Sequence, residues 1–128
     1  MKYLGIDFGS KRVGLAISDD SGKMAFPYSV ILNNKNLLGE ILKIIEKEKI
    51  NVIVIGESKN FAGQPNKIMA EIEKFKETLE DKTKLKVSFE PEFMTSQQAE
   101  RGLGKNEMHD ASAASIILQF YLDTHVNN

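Results

Sequence analysis

Leu4-Gly5-Ile6-Asp7-Phe8-Gly9-Ser10-Lys11-Arg12-Val13-Gly14-Leu15-Ala16-Ile17-Ser18 decides how the rest of the chain is read. Tyr3, Leu4 and Ile6 form a short apolar run that ends in one acid. Val13, Leu15 and Ile17 then alternate with Gly14, Ala16 and Ser18 at the two-residue period of a strand. Gly9, Ser10 and Lys11 supply the turn between them. The pattern predicts a buried strand, a tight hairpin and a second strand. Asp7 falls where the first strand gives way to its loop, a place poorly suited to packing and well suited to holding a metal or orienting a phosphate. An Asx-turn role beside the glycine accounts for the same residue, so the stretch marks a candidate site without naming a reaction.

Working outward, Asp19-Asp20-Ser21-Gly22 reads as a second turn, and Met24 to Ile31, with Pro27 near its start, as a third antiparallel strand. From Asn36 to Lys49, Leu37, Leu38, Ile41, Leu42, Ile44 and Ile45 recur at helical spacing against Glu40, Lys43, Glu46 and Lys47, which predicts an amphipathic helix. Val52-Ile53-Val54-Ile55-Gly56 is a continuous β-branched run, expected as a strand covered on both faces and parallel to the first. Glu57 to Gln64 is a polar loop. Pro65 suits the first turn of a helix carrying Ile68, Met69, Ile72, Phe75 and Leu79. Lys84 to Phe89 is read as the last strand. A short helix is expected to start at the capping-box pair Thr95 and Gln98 and to stop near Gly102 or Gly104. A final helix is expected over Asp110 to His125. This order predicts an α/β fold with a mixed sheet, three antiparallel strands and then parallel ones, flanked by helices.

The 128 residues suit one domain with one core. The formal net charge of −1 gives the whole molecule no attraction for phosphate, so any such attraction must be local. The chain has no cysteine, which excludes disulfides, thiolate metal sites and cysteine nucleophiles. It opens on a strand rather than on a basic leader with an apolar signal region, and no apolar run approaches the roughly 20 residues of a membrane span. A cytoplasmic protein with no membrane partner is expected.

Three acids fall where this architecture can bring them to one edge: Asp7 after the first strand, Glu92 beyond the last and Asp110 at the start of the final helix. Pairs of hard divalent cations such as Mg²⁺, held by carboxylates roughly 3.5–4 Å apart, activate water and stabilise the leaving oxygen in phosphodiester hydrolysis. Each acid also has an ordinary reading. Asp110 serves equally as a helix N-cap, and Glu90 and Glu92 as solvated loop acids. Alternation along extended chain leaves either of the latter two eligible for a site. Lys11 and Arg12 on the hairpin are placed to hold phosphates beside Asp7. Lys59 and Lys67 with Asn60 make a second basic patch around Gly63. His109 is read as a loop residue.

Gly5 to Asp19 resembles the opening motif of the YqgF family, also called RuvX-like Holliday junction resolvases or ribosomal RNA precursor nucleases. Asp110-Ala111-Ser112-Ala113-Ala114-Ser115-Ile116-Ile117-Leu118-Gln119-Phe120-Tyr121-Leu122 is similar to the family's closing run. Gly56 and Gly63 bracket a loop like its Gly-x-Pro-x-x-x-x-Gly segment, and Thr95 to Glu100 matches the helix after its acidic motif. The resemblance implies an RNase H-like fold and a cytoplasmic, divalent-metal-dependent nuclease using Mg²⁺ or Mn²⁺. It implies Asp7, Glu92 and Asp110 as metal ligands and catalytic residues, with structured RNA or branched DNA, and ribosomal precursor particles, as partners. The family's acidic motif is Asp-Glu-Arg, an aliphatic residue and two hydroxyl residues. Here the stretch is Pro91-Glu92-Phe93-Met94-Thr95-Ser96, so only its central Glu is kept, and Glu57 and Ser58 depart from the family's usual residues after Gly56.

Two other functions compete. An ATP-binding protein of the actin and sugar-kinase type also opens with a strand, an Asp and a glycine hairpin, but needs two such domains, and the chain has no Gly-x-x-x-x-Gly-Lys phosphate loop. A nucleic-acid-binding module of the same fold without turnover is compatible with the altered acidic motif. The expectation adopted is processing of the 5′ end of pre-16S ribosomal RNA, with Holliday junction resolution as the alternative.

Overall fold

The computed structural model describes residues 1–57, 67–91 and 107–127, with the backbone alone at 57, 67–68, 91 and 107–112. Strands β1 (Tyr3–Phe8), β2 (Arg12–Ser18) and β3 (Ala25–Leu32) precede helix α1 (Leu37–Glu48). Strand β4 (Val52–Glu57), helix α2 (Lys67–Thr83), strand β5 (Lys86–Pro91) and helix α3 (Glu107–Tyr121) follow. The last helix runs on into a wider π-helical turn over Leu122–Val126.

The five strands form one sheet in the order β3-β2-β1-β4-β5. β1 pairs antiparallel with β2, and β2 with β3, while β1–β4 and β4–β5 are parallel. This is the mixed sheet expected from the element order. The parallel pairs follow from the helices that separate them in sequence, since a parallel return requires a crossover. Pro27 is tolerated because β3 is an edge strand, where a missing N–H leaves the ladder intact. A bulge lies opposite the Leu15–Ala16 step: Ala16 pairs with Pro27 and Leu15 with Ser29, so Tyr28 is the extra residue.

The sheet has a core on each face. Leu4, Ile6, Phe8, Val13 and Leu15 join Ile41 and Ile45 of α1 and Ile72 and Leu79 of α2. Tyr3, Ala16, Val52 and Val54 pack against Ala114, Ile117, Leu118 and Tyr121 of α3. Alternation along β1 therefore divides its residues, with Leu4, Ile6 and Phe8 facing α1 and α2, and Tyr3, Gly5 and Asp7 facing α3.

Three local readings are corrected. The last strand is Lys86–Pro91 rather than Lys84 to Phe89; Lys84 is a left-handed residue, φ 61°, that closes off α2. Glu90 is thus a strand residue and is buried, not a solvated loop acid. The final helix begins at Glu107, which takes His109 out of a loop and puts Asp110 inside the first turn instead of at the N-cap, where an acid still complements the helix dipole. Pro65, Thr95, Gln98, Gly102 and Gly104 lie outside the described residues.

Candidate active site

Asp7 is the last but one residue of β1, half-buried on the α3 face. It pairs with Gly14 of β2. On its other side the β1–β4 register, Gly5 with Val54 and Ile6 with Ile55, continues to set Gly56 beside it. Gly56 in turn pairs with Glu90 of β5. A single row across the sheet therefore reads Gly14, Asp7, Gly56, Glu90, with a glycine on either side of Asp7. Two acids share the row and the face, separated by one strand without a side chain.

The hairpin after Asp7 is held tightly. Gly9 N–H donates to the Arg12 carbonyl at 3.0 Å, and a Cβ on Gly9 would come within 2.5 Å of that same oxygen, so only glycine fits. Asn33, beyond β3, donates Nδ2 to the Gly9 carbonyl at 2.7 Å and its backbone N–H to the Lys11 carbonyl at 2.9 Å. Lys11 and Arg12 are exposed. Arg12 has the same parity along β2 as Gly14 and so lies on the face of Asp7.

Helix α3 crosses the same face at close range. Gly5 makes this possible: a Cβ there would meet Leu118 Cβ at 2.8 Å and the Ala114 carbonyl at 3.1 Å. The helix runs antiparallel to β1, because Ala114 and Leu118 lie over Gly5 while Tyr121 packs on Tyr3, the ring centroids 6.2 Å apart. Its N-terminal end thus points to the end of β1 that carries Asp7. Asp110 lies four residues before Ala114, about 6 Å along the axis. Asp7 lies two residues beyond Gly5, about 6.6 Å along the strand. Counted from Leu118, the other residue over Gly5, the distance to Asp110 is about 12 Å, so the backbone of Asp110 lies toward the Asp7 end of β1, at the level of Asp7 or beyond it.

Glu90 is 3% exposed. Burial pushes its carboxyl above the ordinary glutamate value, and the nearby His125 works in the opposite direction. His125 Nδ1 lies 4.0 Å from Glu90 Oε2, and the imidazole stacks on Tyr121 at 4.7 Å between centroids. Alternation of Lys86, Ser88 and Glu90 with Val87 and Phe89 is the sequence signal that carries the strand through Glu90.

Glu92 and Lys59 lie outside the described residues. Lys67 opens α2 and is described by its backbone alone. Among the described residues no three His, Cys, Asp or Glu side chains gather as a metal site; the described part of the Asp7 site supplies Asp7 itself. The candidate donors Asp7, Glu92 and Asp110 are all carboxylates, the ligand chemistry that hard divalent cations take. No described helix is long and apolar enough to cross a membrane.

The RuvX family, described as Holliday junction resolvase, matches residues 1–124. A protein of Maridesulfovibrio salexigens named "Putative pre-16S rRNA nuclease" is 37% identical, over 95% of this chain and 98% of its own length. One of the same name from Mycoplasma mobile is 35% identical, over 100% of this chain and 93% of its own. Among solved structures, Thermus thermophilus RuvC in complex with Holliday junction substrate aligns with a TM-score of 0.65 over 98% of this chain and 97% of that one, at 15% identity. The fowlpox virus Holliday junction resolvase aligns with a TM-score of 0.62 over 97% and 99%, at 14% identity. Those two likenesses bear on the fold, which is RNase H-like. The opening hairpin, the α3 helix laid over Gly5 and the match across nearly the whole length agree, and the chain belongs to the RuvX family.

Proposed function

We propose that this chain is a divalent-metal-dependent endonuclease that hydrolyses phosphodiester bonds in structured nucleic acid, with the 5′ end of pre-16S ribosomal RNA as its substrate. The observation that carries this reading is the position of Asp7. It sits at a strand end between two glycines, on the face crossed by α3 and at the end toward which the N-terminus of that helix points. A half-buried carboxylate with glycine on both sides contributes little to packing.

In this reading Asp7, Glu92 and Asp110 hold Mg²⁺ or Mn²⁺. When bound, such ions activate a water and stabilise the leaving oxygen. Asp7 presents its oxygens from a rigid strand. Glu92 follows directly on β5, two residues beyond a Glu90 that is anchored in the sheet. Arg12, on the face of Asp7, and Lys11 at the hairpin hold phosphates flanking the cleaved bond, and Lys59 and Lys67 extend that contact along the strand. The chain acts as a single domain over residues 1–128, in the cytoplasm, on ribosomal precursor particles. Resolution of branched DNA is the second reading, supported by the family's description.

The test is cleavage of pre-16S ribosomal RNA and of a four-way DNA junction across a Mg²⁺ and Mn²⁺ titration, with Mn²⁺ binding by calorimetry. Asp7→Asn and Glu92→Gln are each expected to lose metal affinity and more than about a hundredfold in rate, beyond the 10–100-fold typical of residues that only orient a ligand. Glu90→Gln is expected to stay within a few-fold of the parent. The reverse pattern for the two glutamates would move the site onto Glu90, and a folded Asp7→Asn protein that cleaves normally would end the proposal.

A further inference from the structure

On the face of the sheet away from α3, beside the end of β1, a cavity of about 300 Å³ opens between the start of α1 and the middle of α2. Phe8, Leu37, Leu38 and Phe75 make its apolar wall. The Phe8 and Phe75 rings are 5.4 Å apart, tilted by 49°. Among the described residues, exposed Lys35 and Lys74 stand at the rim against a single acid, Glu71. Asn33 also lines it, and this residue ties the cavity to the hairpin through its bonds to the Gly9 and Lys11 carbonyls. With Nδ2 committed to Gly9, the Asn33 Oδ1 is the acceptor that remains on the side chain.

These groups match the parts of one nucleotide. The partly exposed Phe75 ring, backed by the buried Phe8, offers a stacking surface for a base, an amide reads a base edge, and ammonium groups take the phosphate. The volume lies at the small end for ligand sites, which suits a single unstacked base. The excess of lysine over acid at the rim argues against an uncharged apolar ligand.

We propose that this cavity is a nucleotide-binding subsite that takes one unpaired nucleotide from the strand whose backbone passes Asp7. Asp7 and Phe8 are adjacent in β1 and face opposite ways, so a strand crossing the Gly9–Lys11 hairpin reaches both. The identity of that strand rests on the nuclease reading; the chemistry of the cavity does not. Base capture at this point selects substrates with an unpaired nucleotide next to the cleaved bond.

The probe is a short single-stranded RNA, and its DNA counterpart, carrying one 2-aminopurine whose fluorescence falls on stacking. Wild type is expected to quench it with either backbone. Phe75→Leu keeps apolar volume and loses the stacking ring, and is expected to lose the quench and about tenfold in affinity. Lys35→Glu with Lys74→Glu changes exposed residues only, and is expected to weaken binding by at least as much while the fold survives; this pair decides the matter if Phe75→Leu fails to fold. Asp7→Asn is expected to keep the full quench. No quench in wild type, or an unchanged quench and affinity in the folded variants, overturns the subsite. Quenching by a wild-type protein that cleaves nothing would leave the subsite standing and remove the nuclease, whereas cleavage without quenching would do the opposite.

Discussion

The same five strands present two unlike faces. Toward α1 and α2 they offer Leu4, Ile6, Val13, Leu15, Ile53 and Ile55, all fully buried, and each such side chain contributes about 1.5–3 kcal/mol when buried. Toward α3 they offer Tyr3, Ala16, Val52 and Val54, together with Gly5, Asp7, Gly14 and Gly56, so that the Asp7 end of this face is small or polar and buries less apolar surface. The small residues allow close approach instead, with Leu118 and Ala114 of α3 resting on the backbone of Gly5. Both faces carry a core, and the first is the more apolar. The other is small where α3 crosses it, and the N-terminal end of that helix points toward the end of β1 that carries Asp7.

That division predicts that stability and catalysis respond to different faces. Ile41 is fully buried against the first face. Ile41→Ala should lower unfolding free energy by about 2–5 kcal/mol, read from urea denaturation, with the cleavage rate per folded molecule within about twofold of the parent. Gly5→Ala should also cost stability, but its larger effect should fall on cleavage. Its new Cβ, 2.8 Å from Leu118 Cβ, meets the stem of a packed side chain and a helix carbonyl that cannot swing away. The strain should lower stability by about 1–3 kcal/mol, while displacement of α3 from β1 lowers cleavage by more than about tenfold. Equal losses of cleavage in the two variants would break the comparison.

The parts that were legible in the sequence are those fixed by neighbours in the chain. β1, β2 and the hairpin follow from a two-residue period broken by Gly9, and α1 from its 3.6-residue period. Asp7 could be singled out because a strand end is a local property. The Gly14, Asp7, Gly56, Glu90 row could not, since it depends on the registers of β1 with β4 and of β4 with β5, whose strands are more than thirty residues apart in the chain. Ending the last strand at Phe89 left Glu90 readable as a loop acid, whereas the strand runs on through Pro91. Proline is acceptable there because β5 is an edge strand, free of ladder bonds on its outer side. The alanines and serines around Asp110 carry too little amphipathic contrast to mark where α3 begins. The cavity draws Phe8, Asn33 and Phe75 from three separate elements, which no local pattern reveals.

A smaller effect sharpens the contrast between the two ends of the sheet. Glu48, at the end of α1, accepts Lys2 Nζ at 3.1 Å and the Tyr28 hydroxyl at 3.0 Å, joining helix, β3 and the residue before β1 far from Asp7. The Lys2 bond first, and then the Tyr28 bond, hold its carboxyl below the ordinary value of 4.5. An acid whose folded value is depressed adds stability above its unfolded value and loses it as pH falls through the folded one. Glu48→Gln should therefore cost about 1–2 kcal/mol at neutral pH, with the gap to wild type closing below pH 4.5. Mn²⁺ affinity should not change. A shift in metal affinity would mean that this end of the sheet communicates with the other.

The smallest expected change is a gain. Gly39 is exposed in the first turn of α1, and a Cβ added there meets nothing within 4 Å. Its backbone has no left-handed φ that would require glycine. The residue therefore adds only unfolded-state freedom and weak helix propensity, and Gly39→Ala should stabilise the protein by about 0.5–1 kcal/mol. For a chain of this size that raises the melting temperature by about 2–5 °C, measurable by circular dichroism. Because Gly39 lies on the outer side of the α1 layer and does not line the cavity formed by Leu37 and Leu38, neither cleavage nor quenching of the 2-aminopurine probe should move. A loss of stability would show that the first turn of α1 is held in a conformation alanine cannot share. A loss of probe binding at unchanged stability would extend the nucleotide subsite across the top of α1.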